Sequence, residues 1–331
     1  MRLPLRPRPL PHEALSSWVG RLAAAYALPC PVFLRLAFAG KPLPKGADLD
    51  SSERPDLSEM FADRTGLSRT QVRAMTFAGY MPELIDTAEP SPDLFAGYAC
   101  RFGWFMPPAP RVRAGLSKNW MPWLTDELLK PPPRCCTLCL KTDTIPYVRL
   151  HWRLGWMASC PLHEEMLVPS IVTASGMSAI QAQEPKRAAL SLLALDQITL
   201  GAIITGVAVL PRGSGVVPGG AWLRALRALL DELVQPMDQI SPVARGEIAV
   251  AWLSAGKGCD VRHGRRCVPF EGLLPAQRAL LLQVAGAVVR FLAARPAPEG
   301  AGTALRARVS QWARAIQFWH IGLCVSGGGV T

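Results

Sequence analysis

Two short knuckles dominate what this chain can fold into: Cys136-x2-Cys139, then twenty residues, then Cys160-x2-His163. A C-x2-C turn lets two thiolates reach one cation, and a second knuckle of this kind closes a tetrahedron around it. The spacing predicts one structural Zn2+ held by Cys136, Cys139, Cys160 and His163. Cys135 and His151 are spare donors in the same segment, and either could stand in for one of the four. A redox C-x-x-C pair would not need the matched C-x2-H, and no β-α-β pattern surrounds it. With four protein ligands such a site has no open position, so it staples a loop-rich segment and does no chemistry. Between the knuckles, Tyr147, Trp152 and Trp156 alternate with Arg149 and Arg153. That pattern fits a small aromatic core around the metal, or nucleic-acid stacking by the aromatics with the arginines as contacts.

Pro and Gly divide the rest into blocks. Leu15, Trp18, Val19, Leu22 and Tyr26 fall on one apolar stripe of a helix starting after Pro11, and "PVFLRLAFAG" reads as a short second helix. The stretch from Leu57 to Thr76 has the shape of a helix-turn-helix. Phe61 and Ala62 face inward, Gly66 makes the turn, and Leu67 plugs the corner. Ser68 and Gln71 form a capping box, and Val72 and Met75 return to the core. Arg69, Thr70 and Arg73 are then left outward, as candidate contacts to nucleic acid or to a partner. Short helices are expected at 93–105 and 120–129, among proline-rich connectors.

Beyond Ser170, Ala, Leu, Val and Gly dominate, with helical blocks expected at 185–195, 221–234, 242–255, 274–294 and 303–321. The apolar run 188–210 could span a bilayer by length. Asp196 and Gln197 at its middle favour a pair of buried helices instead. The expectation is therefore a mainly α protein in three parts. Residues 1–130 form a helical region with a helix-turn-helix, 131–170 a small zinc-knuckle module, and 171–331 an all-helical C-terminal domain.

The balance of 36 basic to 25 acidic residues, a net charge of +11, favours a polyanionic partner. A surplus this moderate implies weak, salt-dependent contact with double-stranded DNA. No apolar run follows the N-terminal arginines as in a secretory signal, and nine cysteines, scattered except for the one cluster, suit free thiols in the cytoplasm. No phosphate-binding G-x-x-x-x-G-K, H-E-x-x-H or G-x-S-x-G motif occurs, which argues against an enzyme.

Three segments in this order, "LPLRPRPLPHEALSSWVGRLAAAY", "DRTGLSRTQVRAMT" and "RCCTLCL…YVRLHWRLGWMASCPLHEEML", resemble the TniQ family of bacterial transposition proteins. The likeness covers roughly residues 1–170. It implies a non-catalytic target-selection adaptor, joining a target-recognition component to an AAA+ ATPase that recruits the transposase. In related systems that component is a CRISPR effector complex, a DNA site read directly, or another DNA-bound protein. The likeness also implies a homodimer, a cytoplasmic bacterial location, and Cys136, Cys139, Cys160 and His163 as the first zinc-knuckle pair. Many relatives carry a further C-x-x-C just beyond. Here "LVPSIVTASG" has no Cys, so a second zinc is not expected. The alternative reading is a zinc-stabilised helix-turn-helix transcription regulator, which would not require the long aromatic zinc segment.

Overall fold

The computed structural model describes residues 2–38, 49–50, 55–80, 134–173, 176–179, 186–211, 215–235, 242–256, 270 and 273–294. The helices expected at 93–105, 120–129 and 303–321 lie outside these residues. The described chain is mostly helical, and it separates into two compact units, one up to Arg187 and one from Ala188.

In the first unit, α1 (Leu15–Ala25) buries Leu15, Trp18, Val19 and Leu22 of the expected stripe, while Tyr26, its last member, is the half-buried C-cap. Its N-cap, Ala14, offers no side-chain acceptor, so the orphan amides of the first turn are met from elsewhere. Leu15 donates to the Met75 carbonyl (2.8 Å) and Ser16 to Asp50 Oδ1 (2.7 Å). The carboxylate of Asp50 thus caps the positive end of α1 from a remote loop. α2 (Cys30–Ala37) begins with Pro31 in its first turn, where the missing amide costs nothing.

α3 (Pro55–Thr65) and α4 (Arg69–Arg73) are joined by Gly66, whose φ of +77° is the left-handed conformation a side chain would strain. The Ser68–Gln71 capping box forms in full: the Gln71 amide donates to Ser68 Oγ (3.1 Å) and the Ser68 amide to Gln71 Oε1 (2.8 Å). Phe61 and Val72 are fully buried, Met75 nearly so, and Leu67 packs against them. Ala62 is only half-buried. The centre of this core is aromatic, with Phe61 edge-on to Trp18 (6.0 Å between centroids) and to Phe38 (4.7 Å).

The cysteine segment belongs to the same unit. β1 (Arg134–Cys135) leads into α5 (Thr137–Thr142). β2 (Ser159–Cys160) and β3 (Glu165–Met166) make a tight hairpin, and β4 (Val168–Thr173) pairs with both β1 and β5 (Gly176–Ala179). Within the cysteine-free stretch after the second knuckle, Val168–Thr173 is therefore a β-strand. Its Val, Ile and Thr residues suit a pleated surface.

In the second unit, α6 (Leu190–Thr205) packs against α7 (Gly219–Leu233) and α9 (Pro275–Ala294), and α8 (Pro242–Ser254) packs against α9. α7 is buried on nearly every side, with Trp222, Leu226, Leu229 and Leu230 at 0% exposure. Two expectations are corrected here. The run 188–210 is one helix, not a pair: Gly206 ends α6 in the left-handed conformation and the chain turns into β6 (Val207–Val209). Nor is the C-terminal half all-helical, because β6 pairs antiparallel with β7 (Val216–Pro218). The alternation of Val207, Ala208 and Val209, with Ala208 inward, is a strand's period of two. Among the described residues, no single helix is long and apolar enough to cross a membrane.

Candidate metal centre

Each knuckle is a turn that its local sequence builds. Cys136 occupies the N-cap of α5, and its Sγ accepts the Cys139 amide (3.4 Å), so both sulfurs face one point. The β2–β3 hairpin brings Cys160 and His163 together across four residues. The Glu164 amide donates to the Cys160 carbonyl (2.8 Å), and Glu164 takes up a positive φ of 57°.

The four ligand atoms of Cys136, Cys139, Cys160 and His163 all lie within 4.8 Å of one another, and the three cysteines are buried. His163 Nδ1 is 3.4 Å from Cys136 Sγ, 3.3 Å from Cys139 Sγ and 3.8 Å from Cys160 Sγ, with 3.7 Å between the sulfurs of Cys139 and Cys160. A tetrahedral ion with bonds of ~2.3 Å to sulfur and ~2.0 Å to nitrogen separates its ligands by about 3.5–3.8 Å. The donor set and its edges therefore fit one four-coordinate metal ion. A disulfide needs sulfurs ~2.05 Å apart, and all these thiols are free.

Crowding three thiols also splits their acidity. Hydrogen bonds from Cys136 and Cys139 hold the Cys160 thiol well below its ordinary value, against burial. The Cys139 thiol is pushed up by its bonds to Cys136 and Cys160 and by burial. A bound cation would remove the proton from each.

The spare donors lie outside this set. Cys135 is a buried free thiol on β1. His151 is buried, and desolvation, with His12 and Arg149 nearby, holds its pKa down to about 3. Tyr147, Trp152 and Trp156 are buried too, at 9%, 0% and 1% exposure, so they form a core and present no face to bases. Of the two uses open to these aromatics in the sequence, the structure adopts packing.

The arginines chosen from sequence occupy varied settings. Arg149 grips Asp143 through both terminal nitrogens (2.9 and 3.0 Å). Its guanidinium lies over Tyr147 (4.5 Å) and Trp152 (4.9 Å), and its charge acts on Cys139. Arg153 pairs with the Asp50 carboxylate. Arg73 donates its Nε to the Ala78 carbonyl (3.1 Å). Arg69 and Thr70 are exposed, with Arg69 paired to Glu59 across the turn. The metal cluster and the α3–α4 turn are distinct places on one unit.

Two buried acidic residues lie where α1 meets the segment between the knuckles. Asp50, 0% exposed, accepts from the Ser16 amide and hydroxyl (2.7 Å each), pairs with Arg153, and receives the Phe77 amide at its carbonyl (2.9 Å). Glu13, 1% exposed, takes both Arg21 bonds (2.8 and 2.7 Å) and the Leu10 amide (2.9 Å). Backbone bonds lie on either side of Glu13: Ala14 donates to the Val148 carbonyl (2.9 Å) and Leu150 to that of His12 (2.8 Å).

A mostly helical unit that gathers three cysteines and a histidine into one four-donor cluster defines a protein with a possible metal site. The TniQ family model matches residues 4–167, which take in the N-terminal arm, α1–α4 and both knuckles, and the chain belongs to that family. That membership associates it with transposition. No curated protein and no solved structure matches the chain.

Proposed function

We propose that the chain is a non-catalytic transposition adaptor, linking a target-recognition complex to an AAA+ transposition ATPase on double-stranded DNA. The observation that carries this reading is the closed Cys3His cluster built into the unit that the TniQ match spans. The ion is Zn2+, since two thiolate knuckles with one imidazole form a structural zinc set. With every position filled by protein, it stiffens a docking platform and activates no water.

The α3–α4 pair acts as the helix-turn-helix, with Arg69 and Thr70 on its exposed side. At five residues, α4 is about 7.5 Å long, enough for a few phosphate or edge contacts and little more. Such a helix suits weak, sequence-tolerant DNA contact by a protein whose target is chosen by a partner. A stand-alone regulator needs more of the groove. In this reading Arg73, Arg149 and Arg153 act mainly on the fold, through the partners given above. Two copies of the chain acting together would fit the same role.

The test is capture of the AAA+ ATPase encoded beside the gene, using the full zinc-loaded chain with duplex DNA and ATP present or withheld. ATP-dependent capture on DNA is the expected result. Absence of capture, together with tight sequence-selective binding to DNA alone, overturns the adaptor in favour of a transcription regulator.

A further inference from the structure

The N-terminal arm is anchored by its backbone. Leu3 donates to the Arg64 carbonyl (2.7 Å) and Leu5 to the Tyr26 hydroxyl (2.9 Å). The Pro7 carbonyl accepts from Trp18 Nε1 (2.9 Å) and the Arg8 carbonyl from Arg21 (2.7 Å). Every one of these anchors is a main-chain group of the arm, so the arm's placement rests mainly on its backbone. Arg2, Arg6 and Arg8 are exposed, and all three line a cavity of about 230 Å³. The rest of its wall is Pro7, Trp18 and the Thr65–Gly66–Leu67 turn between α3 and α4. The Arg2 guanidinium lies along Gly66, 3.5 Å from where a Cβ would stand, and Arg6 reaches the Thr65 carbonyl at 3.5 Å.

No carboxylate lines this cavity, and among the described residues none pairs with Arg2, Arg6 or Arg8. The contrast is with Arg21, Arg69, Arg149, Arg153 and Arg187, each of which has an acidic partner. Three like charges held around one concavity repel one another until an anion enters, and guanidinium forks match tetrahedral oxyanions.

We propose that this arginine cleft seats backbone phosphates of double-stranded DNA, positioning the duplex against the α3–α4 turn without reading its sequence. Arg69 follows Leu67 by two residues, so the phosphate seat lies beside the exposed start of α4. The inference rests on the reading of the chain as a DNA-associated adaptor.

The experiment is anisotropy of the full, zinc-loaded chain with a labelled duplex, repeated across a salt series. The triple variant R2Q/R6Q/R8Q is expected to bind more weakly, equally so on duplexes of unrelated sequence. The slope of log K against log salt should shrink by about 2.7, since each of three phosphate contacts contributes about 0.9. R2K/R6K/R8K, which keeps the charges, should restore most of that slope. Because the anchors are backbone groups, zinc content and melting temperature serve as controls for the fold. Should the triple variant fold poorly, Arg2→Gln alone is expected to lower the slope by about 1. An unchanged slope in folded Gln variants, with the wild type binding DNA, overturns the cleft and leaves the adaptor reading intact. A wild type with no duplex affinity at low salt overturns the cleft and the DNA contact together. Capture of the ATPase would then have to stand by itself.

Discussion

The unit up to Arg187 is tied together by polar cross-links between distant stretches of chain. Asp50, Ser17 and the Cys3His cluster each join segments separated along the chain, beside an aromatic core. The unit from Ala188 is built differently. Its helices bury Leu, Ala, Val and Ile against one another, with polar contacts such as Trp222 Nε1 to Thr199 Oγ1 (3.0 Å) and the buried pair Arg227–Asp231 (3.3 Å) set among them. Directional bonds and a metal can hold short elements that would not fold alone. Area-driven packing needs longer helices but tolerates almost any apolar side chain of the right size.

The largest effect should come from the cluster. Cys136→Ser and His163→Ala are expected to abolish zinc binding and unfold the first unit. Structural zinc contributes about 10–16 kcal/mol of binding free energy in small sites. Metal analysis with hydrogen exchange checks this, and a full equivalent of zinc in either variant would break the ligand assignment. Protection of α6–α9 should persist, which is the contrast between the units made measurable.

Asp50→Ala should come next, at about 3–5 kcal/mol, because it strips Arg153 of its buried partner and α1 of its cap. Exchange should rise in α1 and in residues 147–154 together. A rise confined to one of them would mean that Asp50 does not join the two.

For the second unit, a Cβ at Gly286 would overlap the Ser191 carbonyl oxygen and stand 2.6 Å from its carbon. Gly286→Ala should cost about 1–3 kcal/mol there by forcing α6 and α9 apart, with zinc content unchanged. A melting curve unmoved by the change would show that the helices yield freely. Smallest is Ser68→Ala, about 1 kcal/mol, which breaks the capping box and should speed exchange at the first amides of α4 alone.

The parts legible in the sequence are those whose physics is local. The four ligands lie in two knuckles, each readable from four consecutive residues. The Ser68–Gln71 cap, the Gly66 turn and the α1 stripe likewise need no knowledge of distant chain. Asp50 escaped because its partners, Ser16 and Arg153, stand 34 and 103 positions away, and an aspartate in a polar loop gives no sign of burial. The Asp50 partner of Arg153, a candidate contact residue in the sequence, was hidden for the same reason, whereas Asp143 stands only six residues from Arg149. β6 was hidden by its shortness. Three residues of Val-Ala-Val after an apolar helix continue its hydropathy, and only Gly206 marks the change.

The bridge between Glu13 and Arg149 bears on how this protein can be cut. The metal segment is not a bead on a string that can be excised and grafted elsewhere. Its residues 147–150 lie edge-to-edge with residues 12–14, so a fragment beginning at Arg134 would bare the Val148 carbonyl, the Leu150 amide and a buried aromatic cluster at once. Shuffling between relatives, in the laboratory or in nature, has to exchange the chain's first residues and its knuckles as one cassette.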